Sequence, residues 1–341
     1  MRLPIDIGRN ELLWFGVTGL LFLILLYFAD VSQFLDSLRR ADPRPFAVAV
    51  AVGFSSLLVW AWVWHRFFGE MGIPSTRSRT VRMFLTGHFL NSITPLGQFG
   101  GEPIMAYIVS DNTGTDYERA LACVISADIL NAAPFFTFTL GGVVYLSVFG
   151  SLTGLLVEVG ALSVVLLVVG GTVAYLLWSD DDTLRSAATR LLNGLERRLG
   201  RAEALFESLH DRVTTIEGAF QEAGNDPVFL LKTAAVSHLA IVAQIVSLYF
   251  VFRSLGLEPE FVPLYFIVNL SVIATISPTP GGSGTYEAAF SALVTFFFSV
   301  EFATALTAAV LFRLTTYWPG ILVGYPSLLT LKRLDSDSIT E

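Results

Sequence analysis

Residues 91–102 read NSITPLGQFGGE, one proline and three glycines closing on the carboxylate Glu102, directly after the apolar run VRMFLTGHFLN (81–91). Proline removes a backbone donor and glycine weakens a helix, so the stretch cannot continue a regular helix. In lipid every backbone N–H and C=O needs an internal partner. Irregular backbone survives there only inside protein or beside a wet cavity. The fold therefore turns on whether this break lies in a membrane.

Composition places it there. Of 341 residues 53% are hydrophobic and 15% charged, and mean hydropathy is +0.64, whereas soluble domains carry about 25% charged residues. The window LLWFGVTGLLFLILLYFA (12–29) is uncharged and long enough to cross a bilayer. No small-x-small cleavage site follows it before Asp30, so an anchor is expected and not a removed signal peptide. Further apolar runs cover 46–66, 119–149, 152–178, 228–252 and 302–331, and two stretches, 81–110 and 262–299, are split near the middle by Pro and Gly. If both split stretches enter and return on one side, six full crossings remain and both termini share a face. Most non-membrane Lys and Arg, including Arg66, Arg77, Arg79 and Arg82, then fall on that face, which the positive-inside rule makes cytoplasmic. The expectation is an all-α polytopic bundle in the cell membrane, a single transmembrane domain over 1–341 with two re-entrant hairpins.

The break recurs. Residues 94–102, TPLGQFGGE, and 279–287, TPGGSGTYE, both fit T-P-x-G-x-x-x-x-E at an offset of 185, which also pairs Pro134 with Pro319. Interrupted apolar segments at matching positions of two halves point to a transporter-like site at a repeat interface. Three full crossings separate the copies, so the repeats, about 81–149 and 262–331, are expected to be inverted.

The lining of such a site follows from residue chemistry. Glu102 and Glu287 each begin the helix after a break, where a carboxylate is favoured by the helix dipole. Capping and ligand binding are both open readings. The N–H groups of Gly97, Gly100, Gly101, Gly281, Gly282 and Gly284 suit an anionic head group, and Thr94, Gln98, Thr279, Ser283 and Tyr286 add hydrogen-bonding groups. Asp128 and Arg313 lie inside apolar crossings, six residues before the paired prolines. Ionisable residues so placed face the bundle interior, in a pair or on a substrate path. The two are expected to approach one another, as a fixed ion pair or one that a charged head group opens.

Several classes are excluded. The net charge of −8 opposes nucleic-acid binding. One cysteine, Cys123, forms no intramolecular disulfide, and four scattered histidines lack metal-ligand spacing. No P-loop, nucleophile elbow or dinucleotide fingerprint occurs, so no catalytic residue, metal or cofactor is expected. The polar segment 179–227 places apolar residues on one helix face from Ala188 to Phe220. It reads as a cytoplasmic amphipathic helix on the membrane surface, with a homodimer contact as the other use of the 188–220 face.

NSITPLGQFGGEPIMAYIVS and ATISPTPGGSGTYEAAF resemble the two hallmark segments of the flippase-like membrane domain of lysylphosphatidylglycerol synthases, over about residues 10–331. The resemblance implies a translocation-site frame of Pro95, Gly97, Gly101 and Glu102 with Pro278, Pro280, Gly281, Gly282, Gly284 and Glu287. In bifunctional members a soluble transferase domain accompanies this one. The sequence stops at Glu341, so lysyl transfer is not expected of it. Membrane lipids, with a polar phospho- or polyprenyl-linked head, are the expected substrate, and a separate transferase is a conceivable partner.

Overall fold

The computed structural model describes residues 9–93, 101–149, 154–178, 215–216 and 218–338. Among them there is no strand. The helices are α1 (Arg9–Ala29), α2 (Val31–Arg40), α3 (Pro43–Glu70), α4 (Arg77–Ile93), α5 (Glu102–Thr113), α6 (Tyr117–Phe149), α7 (Gly154–Trp178), α8 (Pro227–Ser254), α9 (Phe261–Ser271), α10 (Thr285–Phe298) and α11 (Phe302–Ser338). Starts are marked by the expected chemistry. Pro43 and Pro227 open α3 and α8, where a missing N–H costs nothing. The aspartate before each accepts from the first turn: Asp42 Oδ1 from Arg44 N at 2.9 Å, and Asp226 Oδ1 from Val228 N at 2.8 Å.

Four helices are long and apolar enough to cross a membrane, at Pro43–Glu70, Tyr117–Val148, Pro227–Ser254 and Phe302–Leu331. The pair Gly16–Ala29 and Val31–Arg40 becomes a fifth span if counted as one, and α7 carries a shorter apolar stretch, Ser163–Leu176. The protein is a polytopic helical membrane protein. One element was not anticipated: after α1 the chain turns by 86° into α2. Val31, Leu35 and Leu38 share one exposed face of α2, and Arg39 and Arg40 end it, the pattern of a helix lying in the membrane interface. Asp30, whose carboxylate accepts from Ser32 N at 3.0 Å, caps it and was the available signal.

The first split stretch supplies α4 and α5, with residues 94–100 between them outside the described residues. The second is helix, break, helix: α9 and α10 separated by two short 3-10 turns, Val272–Ile276 and Pro280–Gly282. Phe266 stacks on Phe297 at 5.9 Å, and Thr285 Oγ1 donates to the Ala274 carbonyl at 2.9 Å. As one number rises the other falls, so α9 and α10 form an antiparallel hairpin with the Pro/Gly turn at its tip.

The chain packs as two compact units. The first contains Met1–Leu58, Leu85–Gly101 and Leu239–Thr330, and the second Val59–Phe84, Glu102–His238 and Leu331–Glu341. In the first, Leu248, Phe252, Leu264, Phe266, Phe290 and Phe312 are fully buried. Three of its helices approach closely at Gly53, where a Cβ would lie 2.6 Å from the Thr315 carbonyl oxygen. Ser247 Oγ lies there too, donating to Ala49 O at 2.8 Å and bonding Thr315 Oγ1 at 2.9 Å. In the second, Trp64, Phe67, Phe68, Met71 and Met83 form the core. Arg119 donates to the Met71 carbonyl at 2.9 Å and pairs with Glu222. The 179–227 segment lies outside the described residues as far as 214, so most of the 188–220 face does too.

Candidate functional site

The second Pro/Gly break is organised around one guanidinium. Arg313 Nε donates to Glu287 Oε1 at 2.9 Å, and its Nη2 donates to the Gly281 carbonyl at 3.0 Å and to Ser283 Oγ at 2.9 Å. The faces of Tyr317 and Tyr286 flank it, with the guanidinium carbon 3.8 Å and 4.8 Å from the ring centroids, which adds cation–π attraction. Side-chain exposure is 6% for Arg313 and 4% for Glu287. Desolvating two charges costs several kcal/mol per ion, so such a pair persists only when its remaining lone pairs and protons are met. Glu287 Oε2 is met by the Gly284 N–H at 2.6 Å. Glu287 is the third residue of α10 and reaches back to the residue before the helix, half of a capping box. Of the two open readings for this glutamate, the structure supplies the cap and adds a counter-ion role.

The turn's conformation depends on glycine. Gly281 has φ 56° and Gly284 has φ 89°, in the region that side chains disfavour. A Cβ on Gly281 would fall 2.3 Å from Tyr317 Oη. Only glycine there lets the turn close on Tyr317 while its carbonyl faces Arg313. The hydroxyls are bonded among themselves: Ser277 to Thr279 at 2.8 Å and to Thr285 at 2.7 Å. The result is a polar, irregular turn whose groups find partners inside the protein, as a membrane requires.

Its depth can be read along α11. The midpoint of the span Phe302–Leu331 falls between Thr316 and Tyr317, so Arg313 lies about 5 Å from it at 1.5 Å per residue. Tyr317 Oη donates to the Ser92 carbonyl at the end of α4, 3.1 Å away.

Within the first unit the carboxylate that meets Arg313 is Glu287, carried to it by the hairpin tip. Asp128, in the second unit, is flanked by the neutral hydrogen-bonding groups of Trp64 and Asn131 and by the like charge of Glu102. Asn131 is fixed by Ser237 Oγ, which donates to its Oδ1 at 2.9 Å. No cation lies within ion-pair distance of Asp128 among the described residues.

The structure thus brings together Pro280, Gly281, Gly282, Gly284, Tyr286, Glu287 and Arg313, with Pro278 in the same turn. Gly101 is buried, and Glu102 opens α5 in the second unit. Thr94, Pro95, Gly97 and Gln98 lie outside the described residues. Ser283, expected among the lining hydroxyls, belongs to the site, and so does Tyr317, which was not expected. Tyr317 was recoverable, because residues four apart share a helix face and it stands four after Arg313. Among the described residues no three His, Cys, Asp or Glu side chains converge as a metal ion would need.

Comparison with known proteins agrees with this architecture. Over 333 residues the chain is 28% identical to a UPF0104 membrane protein of Pyrococcus horikoshii, covering 95% of this chain and 97% of that one. A UPF0104 membrane protein of Methanothermobacter thermautotrophicus is 26% identical over 317 residues, 89% of each chain. A third, from Methanocaldococcus jannaschii, is 22% identical over 327 residues, 93% of this chain and 94% of that one. The family described as the lysylphosphatidylglycerol synthase TM region matches residues 13–324, nearly the whole chain, and the chain belongs to that family.

Proposed function

We propose that this chain moves a polar-headed lipid, phospho- or polyprenyl-linked, between the leaflets of the cell membrane, with no enzymatic step of its own. Family membership ties it to lipid-related membrane function. The observation that carries the finer reading is the buried Arg313–Glu287 pair inside an irregular turn, near the middle of a membrane-length helix. A static bundle gains little from such a feature, since apolar residues of similar volume stabilise as well or better. A polar chamber for a head group needs it. Arg313 Nη1 has no acceptor among the described residues, and guanidinium groups bind phosphate oxygens in a directed fork.

In this reading both split stretches are re-entrant hairpins of an inverted repeat, entering from opposite faces with both termini cytoplasmic. In sequence, residues 94–102 match those of the turn at 279–287. Rocking of the hairpins exposes the head group to one side and then the other while the tails stay in lipid. Asp128 and Arg313 respond to head-group charge.

The test is leaflet exchange. The purified chain is reconstituted into vesicles with fluorescent analogues of phosphatidylglycerol and of a polyprenyl phosphate, and outer-leaflet label is bleached by a membrane-impermeant reductant. Exchange accelerated by the chain and lost in Arg313→Gln supports the proposal. Exchange no faster than in empty vesicles overturns it. Lipid turnover only when a separate transferase is added points instead to a subunit that presents substrate.

A further inference from the structure

The second unit contains a cluster of arginines without counter-ions. Arg66, near the end of α3, donates from Nε to Thr233 Oγ1 at 2.8 Å and lies 5.3 Å over the Phe229 ring. Arg77, the first residue of α4, lies 4.9 Å over the ring of Trp62. Arg82 Nε folds back on the Ser78 carbonyl at 3.3 Å, and Arg79 Nε is shut off from solvent with no acceptor among the described residues. His65 Nδ1 and Thr80 Oγ1, 3.1 Å apart, join the two helices between these groups.

In a chain of 29 acidic and 21 basic residues, a basic side chain ordinarily has a carboxylate to meet. None of these four meets one among the described residues, although Arg119, in the same unit, pairs with Glu222. Glu70, four residues after Arg66, forms no ion pair there either. Arg66 is held by a hydroxyl and an aromatic face, Arg77 by an aromatic face and Arg82 by a carbonyl, while the Nη groups of all four find no acceptor among the described residues. Among the described residues no carboxylate balances this charge.

The location says what balances it. The last turns of the α3 span, the first turn of the α8 span and the start of α4 meet here. Helix ends of membrane-length segments lie at the level of lipid phosphates. Trp62 is 37% exposed, as suits an aromatic residue at a membrane interface. We infer that Arg66, Arg77, Arg79 and Arg82 form a docking surface for the phosphates of anionic lipids in the leaflet that this end faces. The surface is independent of the transport reading and serves to hold a lipid annulus and fix the chain's orientation, since basic groups beside a membrane are attracted to anionic leaflets.

Lipid retention by the intact, detergent-solubilised protein tests this through native mass spectrometry. Phosphatidylglycerol should be retained at least about tenfold more tightly than phosphatidylcholine, given the attraction expected per arginine. The pairs Arg66→Gln/Arg77→Gln and Arg79→Gln/Arg82→Gln should each reduce that preference. Replacing all four by Lys should keep most of it. Arg39→Gln/Arg40→Gln, which removes equal charge from α2, should leave it intact. Variants are compared only where gel filtration shows the native profile, and the single change Arg79→Gln serves if both pairs misfold. Equal retention of the two lipids overturns the inference, as does a preference surviving all four Gln changes. So does inorganic phosphate raising the melting temperature as much as phosphatidylglycerol, because that outcome identifies a soluble-anion site.

Discussion

Asp128 and Arg313 stand at matching places, each six residues before a proline inside an apolar helix, yet their surroundings differ in kind. Arg313 is neutralised by Glu287, bonded to a carbonyl and a hydroxyl, and enclosed by two tyrosines. Among the described residues Asp128 has neutral groups and another carboxylate beside it. One charge is tied into the fold; the other meets no cation among the described residues. A matching place in the sequence therefore does not decide what answers an ionisable group. That depends on what the neighbouring break delivers, and only at 279–287 does it deliver a counter-ion among the described residues.

The contrast can be broken at the pair. Glu287→Gln strands a buried guanidinium and should destabilise the protein by about 3–5 kcal/mol, measured by unfolding in mixed detergent micelles. The double variant Glu287→Gln/Arg313→Met should recover much of that loss. If the double is as unstable as the sum of the singles, the pair is not the coupled unit described. Gly281→Ala comes next, at about 1–3 kcal/mol, because it combines a positive φ with a clash on Tyr317. Tyr317→Phe keeps the ring over Arg313 and removes the bond to the Ser92 carbonyl, so the loss should be about 1 kcal/mol. The smallest effect is expected on the other side. Asp128→Asn strands no cation and should cost less than about 1 kcal/mol while still slowing leaflet exchange. A stability loss as large as that of Glu287→Gln would reveal a counter-ion for Asp128 and erase the contrast.

Much of this architecture is legible in the residues. Uninterrupted apolar runs gave the long helices, and Pro134 and Pro319 sit inside helices as the runs implied, since membrane helices tolerate proline. The break at Pro280 and the gathering of Gly281, Gly284, Tyr286 and Glu287 follow from turn chemistry. The partner of Arg313 was not legible. Offset counting pairs residues by position in a repeat, whereas an ion pair needs two side chains within reach, and the hairpin that brings residue 287 to residue 313 is a tertiary event. Helix α2 was not legible for another reason: VSQFLDSLRR is too short and too polar to read as a crossing. Its only mark was the capping Asp30.

Cys123 is the sole thiol in the sequence, and its exposure is 0%. A maleimide or spin label applied to the unaltered protein should therefore find nothing to react with. Any cysteine introduced at the tip of the α9–α10 hairpin would then be its only reporter, so spectroscopic distances could follow this turn without first stripping the chain of native thiols.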